Sequence, residues 1–237
     1  MTRLSVNVNK LALLRNARGE NQPNLSEWVA KIESYGAQGI TVHPRPDERH
    51  VTRKDVYTLK KIVNTEFNIE GFPSTDFIEL IQDIKPEQVT LVPDPPRVLT
   101  SNTGWDTIGQ FDFLVDVVKQ IKKHTERISL FMNPVIVEIQ KVKEIDADRI
   151  ELYTGPYAAD FSANPEKSIR QYVLAAEAAL QSGLGINAGH DLNLDNLKFF
   201  KNNIANLAEV SIGHAIICDA LIYGMENVIP LYLKQLQ

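Results

Sequence analysis

At 237 residues, with 43% hydrophobic and 23% charged side chains, the chain has the make-up of an ordinary globular protein long enough to bury a large core. Its net charge of −5 argues against generic nucleic-acid binding, which needs a basic face, and no apolar run approaches the roughly 18 residues that cross a bilayer. MTRLSVNVNK lacks the apolar stretch of a secretory leader, and Cys218 is the only cysteine, so a reducing cytoplasm is the expected setting.

Along the chain, short β-rich runs alternate with longer helical ones. The strands are expected at LSVNV (4–8), GITVH (39–43), FNIEG (67–71), QVTLVP (88–93), RISLFM (127–132), RIELYT (149–154), GLGINAG (183–189) and AEVSIG (208–213). Between them, Leu114, Val117, Val118 and Ile121 repeat at helical spacing, as do Ile169, Tyr172, Val173 and Ala176. Helix starts are signalled by Asn24, Thr52 and Ser74 as N-caps and by Pro165 in a first turn. Eight strands each followed by a helix predict one α/β domain over 1–237, a TIM-type (β/α)8 barrel. An open doubly wound sheet would need a Gly-rich turn after its first strand, and VNVNKLALLRNARG has none. Two connections are long, PDPPRVLTSNTGW (93–105) and GPYAADFSANP (155–165); each reads either as a substrate clamp or as an ordered surface loop.

The chemistry gathers where strands end. His43, His50, His190 and His214 follow strand-like runs, Glu70 ends FNIE and Glu151 interrupts RIELYT. Titratable groups at the carboxyl ends of separate strands are the sequence pattern of a barrel active site. A carboxylate in a packed barrel is costly unless paired or neutralised, and Arg45 or Arg149 offers the structural alternative of a salt bridge. HPRPDERH (43–50) is either a solvated charged turn or an anion site with Arg45 as a bidentate phosphate ligand. NAGH (187–190) and SIGH (211–214) each place a glycine where a phosphate can approach backbone N–H groups; as plain turns, both glycines would serve a positive φ. Arg15 and Arg18, three apart, offer a further anion contact or a solvent-facing pair. Cys218, in HAIICDALI, reads as core packing and His124 as surface. No Cys/His cluster has zinc spacing, no carboxylate set suggests magnesium, and no strand-end lysine offers a Schiff base.

The motifs VNVNKLALLRNARG, GAQGITVHPRPDERH, NIE, LVPD, IELYTG, NAGH and SIGHAI occur in that order between residues 6 and 216. Together they closely resemble the pyridoxine 5′-phosphate synthase family. The resemblance implies a barrel with additional helices, assembled as a cytoplasmic homo-octamer without cofactor. It implies condensation of 1-deoxy-D-xylulose 5-phosphate with 3-amino-2-oxopropyl phosphate, releasing pyridoxine 5′-phosphate, phosphate and water. By position, His43 and Glu70 resemble the family's general bases, His190 its proton donor, and Glu151 the carboxylate that stabilises transition-state charge. Arg45, His50 and Thr100 match the contacts to deoxyxylulose phosphate; Asn7, Arg18, Gly213 and His214 match those to the amino-ketone phosphate. Two departures stand out. The family often has Asp-His where this chain has Asn9-Lys10, and a Gly commonly follows the NAGH histidine where this chain has Asp191, kept here as a substrate-contact candidate through its backbone N–H. The residues by themselves leave two alternatives open: a barrel isomerase or aldolase acting on one sugar phosphate, or a non-catalytic barrel that binds phosphometabolites.

Overall fold

In a computed structural model that describes residues 1–94 and 101–237, all eight expected strands form, within two residues of their predicted ends. They are β1 (Arg3–Asn7), β2 (Gly39–Val42), β3 (Glu66–Gly71), β4 (Gln88–Leu91), β5 (Arg127–Met132), β6 (Arg149–Tyr153), β7 (Gly185–Gly189) and β8 (Leu207–Ile212). Each pairs in parallel with the next, and β8 closes on β1 with Leu4 opposite Val210, giving a closed barrel. The helices are α1 (Asn9–Asn16), α2 (Leu25–Ser34), α3 (Arg53–Lys60), α4 (Thr75–Ile84), α5 (Phe111–Ile121), α6 (Ile136–Val142), α7 (Gly155–Phe161), α8 (Pro165–Gln181), α9 (Leu197–Asn203), α10 (His214–Tyr223) and α11 (Met225–Gln235).

The local signals act as read. Asn24 accepts from the N–H groups of Ser26 and Glu27, Ser74 caps α4 through Phe77, and Thr52 with Asp55 completes a reciprocal capping box on α3. Leu114, Val117, Val118 and Ile121 are the buried face of α5. Three segments depart from expectation. Residues 9–16, directly after β1, wind into α1, and residues 155–161 form α7 rather than a loop, because Pro156 in the first turn starts a helix instead of marking a bend. Residues 95–100 of the connection after β4, among them Thr100, lie outside the described residues; its far end is anchored by Trp105, fully buried, whose indole N–H donates to the Leu91 carbonyl at 2.8 Å.

The third departure is the barrel interior. The sheet alternates with period two, but the apolar positions (Leu4, Val6, Ile40, Phe67, Ile69, Ile150 and their counterparts) face outward under the helices, all fully buried. The other set is polar and bonded across the lumen. Ser5 meets Thr41 at 2.7 Å, Thr90 donates to Asn68 at 3.2 Å, and Gln88 reaches across to Glu209 at 3.1 Å. Toward the amino ends of the strands, Arg3 and Arg127 close on Glu66, and Arg149 donates to Asn187 at 3.0 Å. The packed apolar interior expected of such a barrel is therefore replaced by a hydrogen-bonded polar one. Many of these buried polar groups satisfy each other, while Glu66 Oε1, Arg127 Nε and Ser129 Oγ are left without a hydrogen-bond partner among the described residues.

Candidate active site

At the carboxyl ends of the strands the polar interior rises into a cluster centred on Glu70. Asn7, ending β1, donates from Nδ2 to Glu70 Oε2 at 3.3 Å, and Ser211 of β8 donates to Oε1 at 3.5 Å. His43 Nδ1 lies 3.8 Å from Glu70 Oε2. Asn7 serves twice, since its Oδ1 also accepts from the N–H of Asn9 at 3.1 Å. Asn9 in turn accepts from the His43 N–H at 2.9 Å. Thus β1, β2 and β3 are tied at their ends by two asparagines, and the position of His43 depends on Asn9. An amide oxygen accepts this bond as a carboxylate would.

Deeper in the barrel, Glu151 accepts from Thr90 at 3.4 Å and is almost fully buried. Its place explains Gly189: a Cβ there would lie 2.3 Å from Glu151 Oε1. Gly213 is close to Asn7 in the same way, 3.0 Å from its carbonyl and 3.1 Å from its Cβ. Neither glycine has a positive φ, so the plain-turn explanation of the two Gly-His pairs does not hold; both make room for a site side chain or for the strand end. Gly213 is also the N-cap of α10, and no side chain caps the first-turn N–H groups there.

Burial sets the protonation. The Glu70 carboxyl is pushed up to about 8, chiefly by desolvation, and Glu151 is raised well above the carboxylate range by burial and by Glu70. His43 is held well below the usual imidazole range by burial, with Arg45, His50 and Arg49 adding repulsion, and His50 is lowered to about 4 by the same kinds of cause. Both histidines are therefore neutral at pH 7. The Val51 N–H donates to His50 Nδ1 at 2.9 Å, so the neutral ring carries its proton on Nε2, free to donate to an anion. Neither Arg45 nor Arg149 is drawn into a salt bridge with these two glutamates: Arg45 donates to Asp94 at 2.8 Å, while Arg149 bonds Gln88 and Asn187. A cavity of ≈ 260 Å³ is lined by His43, Arg45 and Asp94 together with Phe72, Ser74 and Arg53.

The remaining expectations divide. His190 and Asp191 follow β7 and bond each other at 2.9 Å, with Tyr153 edge-on to the imidazole at 5.2 Å. His214 opens α10 and is exposed. Cys218 is not core packing: it is exposed one turn along α10, with Sγ 3.6 Å from His214 Nε2, because the apolar residues of this helix wrap round it and only Ile216 is buried. Arg15 is not an anion ligand but a structural clamp, gripping Asp55 at 2.6 and 2.8 Å and the His50 carbonyl at 3.3 Å, which braces the HPRPDERH loop from α1. Arg18 lies outside the cluster, its side chain 81% exposed and 3.8 Å from Glu20. Lys10 is exposed on α1, near enough to add to the positive field at His50. Reading the residues alone misses Ser211 and Asp94, and reaches Asn7 and Asn9 only through the family resemblance. The alternation in LSVN and EVSI, polar at every second position, is the signal that finds Asn7 and Ser211.

Residues 4–237 match the family described as pyridoxal phosphate biosynthesis protein PdxJ. The chain is 56% identical to pyridoxine 5′-phosphate synthase of Cytophaga hutchinsonii over 237 residues, covering the whole of both proteins. It is 52% identical to the synthase of Flavobacterium johnsoniae, again over the whole of both, and 55% identical to that of Porphyromonas gingivalis over 236 residues, 100% of this chain and 99% of that one. The chain belongs to the PdxJ family. Its barrel is also similar to solved structures at low identity, which speaks for the fold alone. Tryptophan synthase of M. tuberculosis superposes with a TM-score of 0.65 at 9% identity, covering 99% of this chain and 91% of that one. Phosphoribosylanthranilate isomerase of Thermotoga maritima gives 0.61 at 12%, covering 100% and 98%. Within the PdxJ family, the Glu70 cluster of this chain sits where the barrel architecture puts reactive groups, at the carboxyl ends of the strands.

Proposed function

We propose that the Glu70 cluster is the catalytic centre of a pyridoxine 5′-phosphate synthase. It joins 1-deoxy-D-xylulose 5-phosphate to 3-amino-2-oxopropyl phosphate and closes the pyridine ring with release of phosphate and water. The observation that carries the assignment of roles is the meeting of His43, Glu70 and Asn7 in one buried cluster with Glu151 close below. The amine condenses with the sugar ketone to an imine; loss of water and of phosphate follows, and an aldol-type step closes the ring. Each step moves protons at carbon or oxygen, which calls for several groups poised near neutrality around one pocket.

His43, neutral at pH 7, is ready to accept a proton. Glu70, pushed up to about 8, begins largely protonated and becomes a strong base once it has handed that proton on. Their 3.8 Å separation is longer than a hydrogen bond, so each acts on the substrate directly. His190 delivers a proton to a leaving oxygen. Glu151, whose carboxyl burial holds above the usual carboxylate range, stabilises positive charge on the imine as it gives up its proton. Arg45, the Nε2–H of His50 and Thr100 hold the sugar phosphate; Asn7, Arg18, the backbone N–H of Asp191, Gly213 and His214 hold the amino-ketone phosphate, with the open first turn of α10 in support. Anchoring both phosphates brings the reacting carbons together, an effect on the order of 7–11 kcal/mol in well-oriented systems. The chain works in the cytoplasm as a homo-octamer. No helix among the described residues is long and apolar enough to cross a membrane.

The test is to mix the protein with both substrates and follow inorganic phosphate together with fluorescent pyridoxine 5′-phosphate. The expected result is that both rise in step, and only when both substrates are present. Turnover of one sugar phosphate alone would assign the barrel to an isomerase or aldolase instead.

A further inference from the structure

Two aromatic side chains interrupt the polar inner face of the barrel near its mouth. Phe131 of β5 is in register with Glu151 of β6, and Tyr153 follows Glu151 by two residues, so all three share that face. The rings confirm it, with centroids 5.5 Å apart and planes tilted at 47°. Neither residue belongs to the apolar layer packed beneath the helices. Phe131 is buried, whereas Tyr153 is half-buried and so keeps part of its ring open. Tyr153 is also held in place. The Tyr172 hydroxyl donates to its carbonyl at 2.9 Å, and the His190 ring meets it edge-on at 5.2 Å. Gly155 leaves room for the phenol, since a Cβ there would lie 2.3 Å from Tyr153 Oη. In a closed barrel of eight strands, β5 and β6 stand across from β1 and β2. The aromatic pair therefore faces Asn7 and His43 across the mouth.

We infer that Tyr153, backed by Phe131, is the surface against which the pyridine ring comes to lie as it forms. This rests on the proposed synthase reaction. The two starting phosphates are flexible chains with tetrahedral carbons, and they offer an aromatic face little flat area. Ring closure and loss of water turn them into a planar ring with two apolar faces. Such a ring gains from offset or edge-on contact with a tyrosine beyond the area it buries. Asn7 and His43 then stand on the other side of the ligand. A contact that grows as the ligand flattens favours late, planar species over the starting substrates, and differential binding of this kind is what speeds a reaction. The feature that Tyr153 supplies is its ring. Phenylalanine keeps that ring and its packing on Phe131; leucine keeps an apolar side chain but has no aromatic face.

The test is calorimetric binding of pyridoxine 5′-phosphate and, separately, of 1-deoxy-D-xylulose 5-phosphate to the full-length parent, Tyr153→Phe and Tyr153→Leu. Tyr153→Leu should bind pyridoxine 5′-phosphate roughly three- to tenfold more weakly, while its affinity for the sugar phosphate stays within about twofold of the parent's. Tyr153→Phe should bind both ligands as the parent does. The sugar phosphate serves as the check on folding, because a disordered mouth would lose it too. Equal weakening of both ligands in Tyr153→Leu would make Tyr153 a support of the mouth and overturn the inference. Unchanged binding of pyridoxine 5′-phosphate in Tyr153→Leu, with turnover of both substrates intact in the parent, would overturn the ring contact alone. A parent that binds the sugar phosphate but not pyridoxine 5′-phosphate would overturn the synthase reading and the ring contact together.

Discussion

Arg45 and Asp94 form a buried ion pair, Nη2 to Oδ2 at 2.8 Å with side chains 5% and 2% exposed, and Ser101 donates to the same carboxylate oxygen. The guanidinium proposed to grip the sugar phosphate is thus already engaged, by a residue that stands at the end of the LVPD motif. A phosphate arriving at Arg45 joins this pair rather than meeting an idle cation.

Replacing Asp94 by Asn removes the negative charge but keeps an oxygen to accept from Arg45 and Ser101. The buried guanidinium then lacks its counter-charge, and the ligand-free protein should lose about 1–3 kcal/mol. Deoxyxylulose phosphate would supply the missing anion. The thermal shift it produces should therefore be larger in Asp94→Asn than in the parent. Equal shifts in the two proteins would remove Arg45 from the phosphate site.

How much of this was legible beforehand follows from the kind of signal each feature leaves. Strand and helix positions come from local periodicity and capping, and they survive folding because Asn24, Thr52 and Ser74 act on N–H groups two or three residues away. His43 and Glu70 could be picked because titratable residues at strand ends are conspicuous. That they share one cluster could not, since the link is Asn7, whose amide has no chemical prominence in a sequence. The polar interior was equally hidden. Thr41, Asn68 and Thr90 look like ordinary polar strand residues until the barrel closes and brings them into mutual contact. Asp94 escaped for a related reason: its partner Arg45 is 49 residues away and became visible only with the loops in place. Cys218 was misjudged because an apolar segment was equated with a buried one, whereas α10 leaves Leu221 82% and Ile222 75% exposed.

Glu70 makes stability depend on alkaline pH. In the unfolded chain its pKa is about 4.3, and in the fold burial raises it to about 8. A raised folded pKa means that the favourable contribution is fully present below the unfolded value and is lost as pH rises through the folded one. Glu70→Gln, which cannot ionise, should be no more stable than the parent at pH 4 and more stable by pH 9, by on the order of 1–3 kcal/mol. Urea unfolding at both pH values measures this. The same variant should lose turnover by a factor on the order of 10²–10⁴ while substrate binding changes little. A gap in stability that does not vary with pH would mean that Glu70 is ionised in the fold.

The two lowered histidines act at the acid end. His43 and His50 are held neutral by burial and by nearby arginines, His50 down to about 4. A depressed folded pKa gives stability that is present above about 6.5 and lost as pH falls through the folded value. The parent should weaken progressively between about pH 6.5 and 4. His50→Asn should show a shallower decline over this range, by about 1 kcal/mol or more at its lower end. Parallel curves for parent and variant would show that His50 charges as readily in the fold as in the unfolded chain.

Gly189 tests whether Glu151 has to occupy its observed place. An alanine Cβ at 189 would sit 2.3 Å from Glu151 Oε1 and 3.2 Å from the Ser211 carbonyl, so the carboxyl must move while the strand stays paired. The φ of residue 189 is not positive, so the substitution adds no backbone strain and acts only through this contact. Overpacking of this kind costs about 1–3 kcal/mol. Turnover should fall further than that loss alone implies, on the order of 10²-fold, because a group displaced by an ångström no longer meets the charge it stabilises. Gly189→Ala in a Glu151→Gln background should then add little to the loss caused by Glu151→Gln. If the two losses instead multiply, Gly189 acts through the His190 segment and not through Glu151.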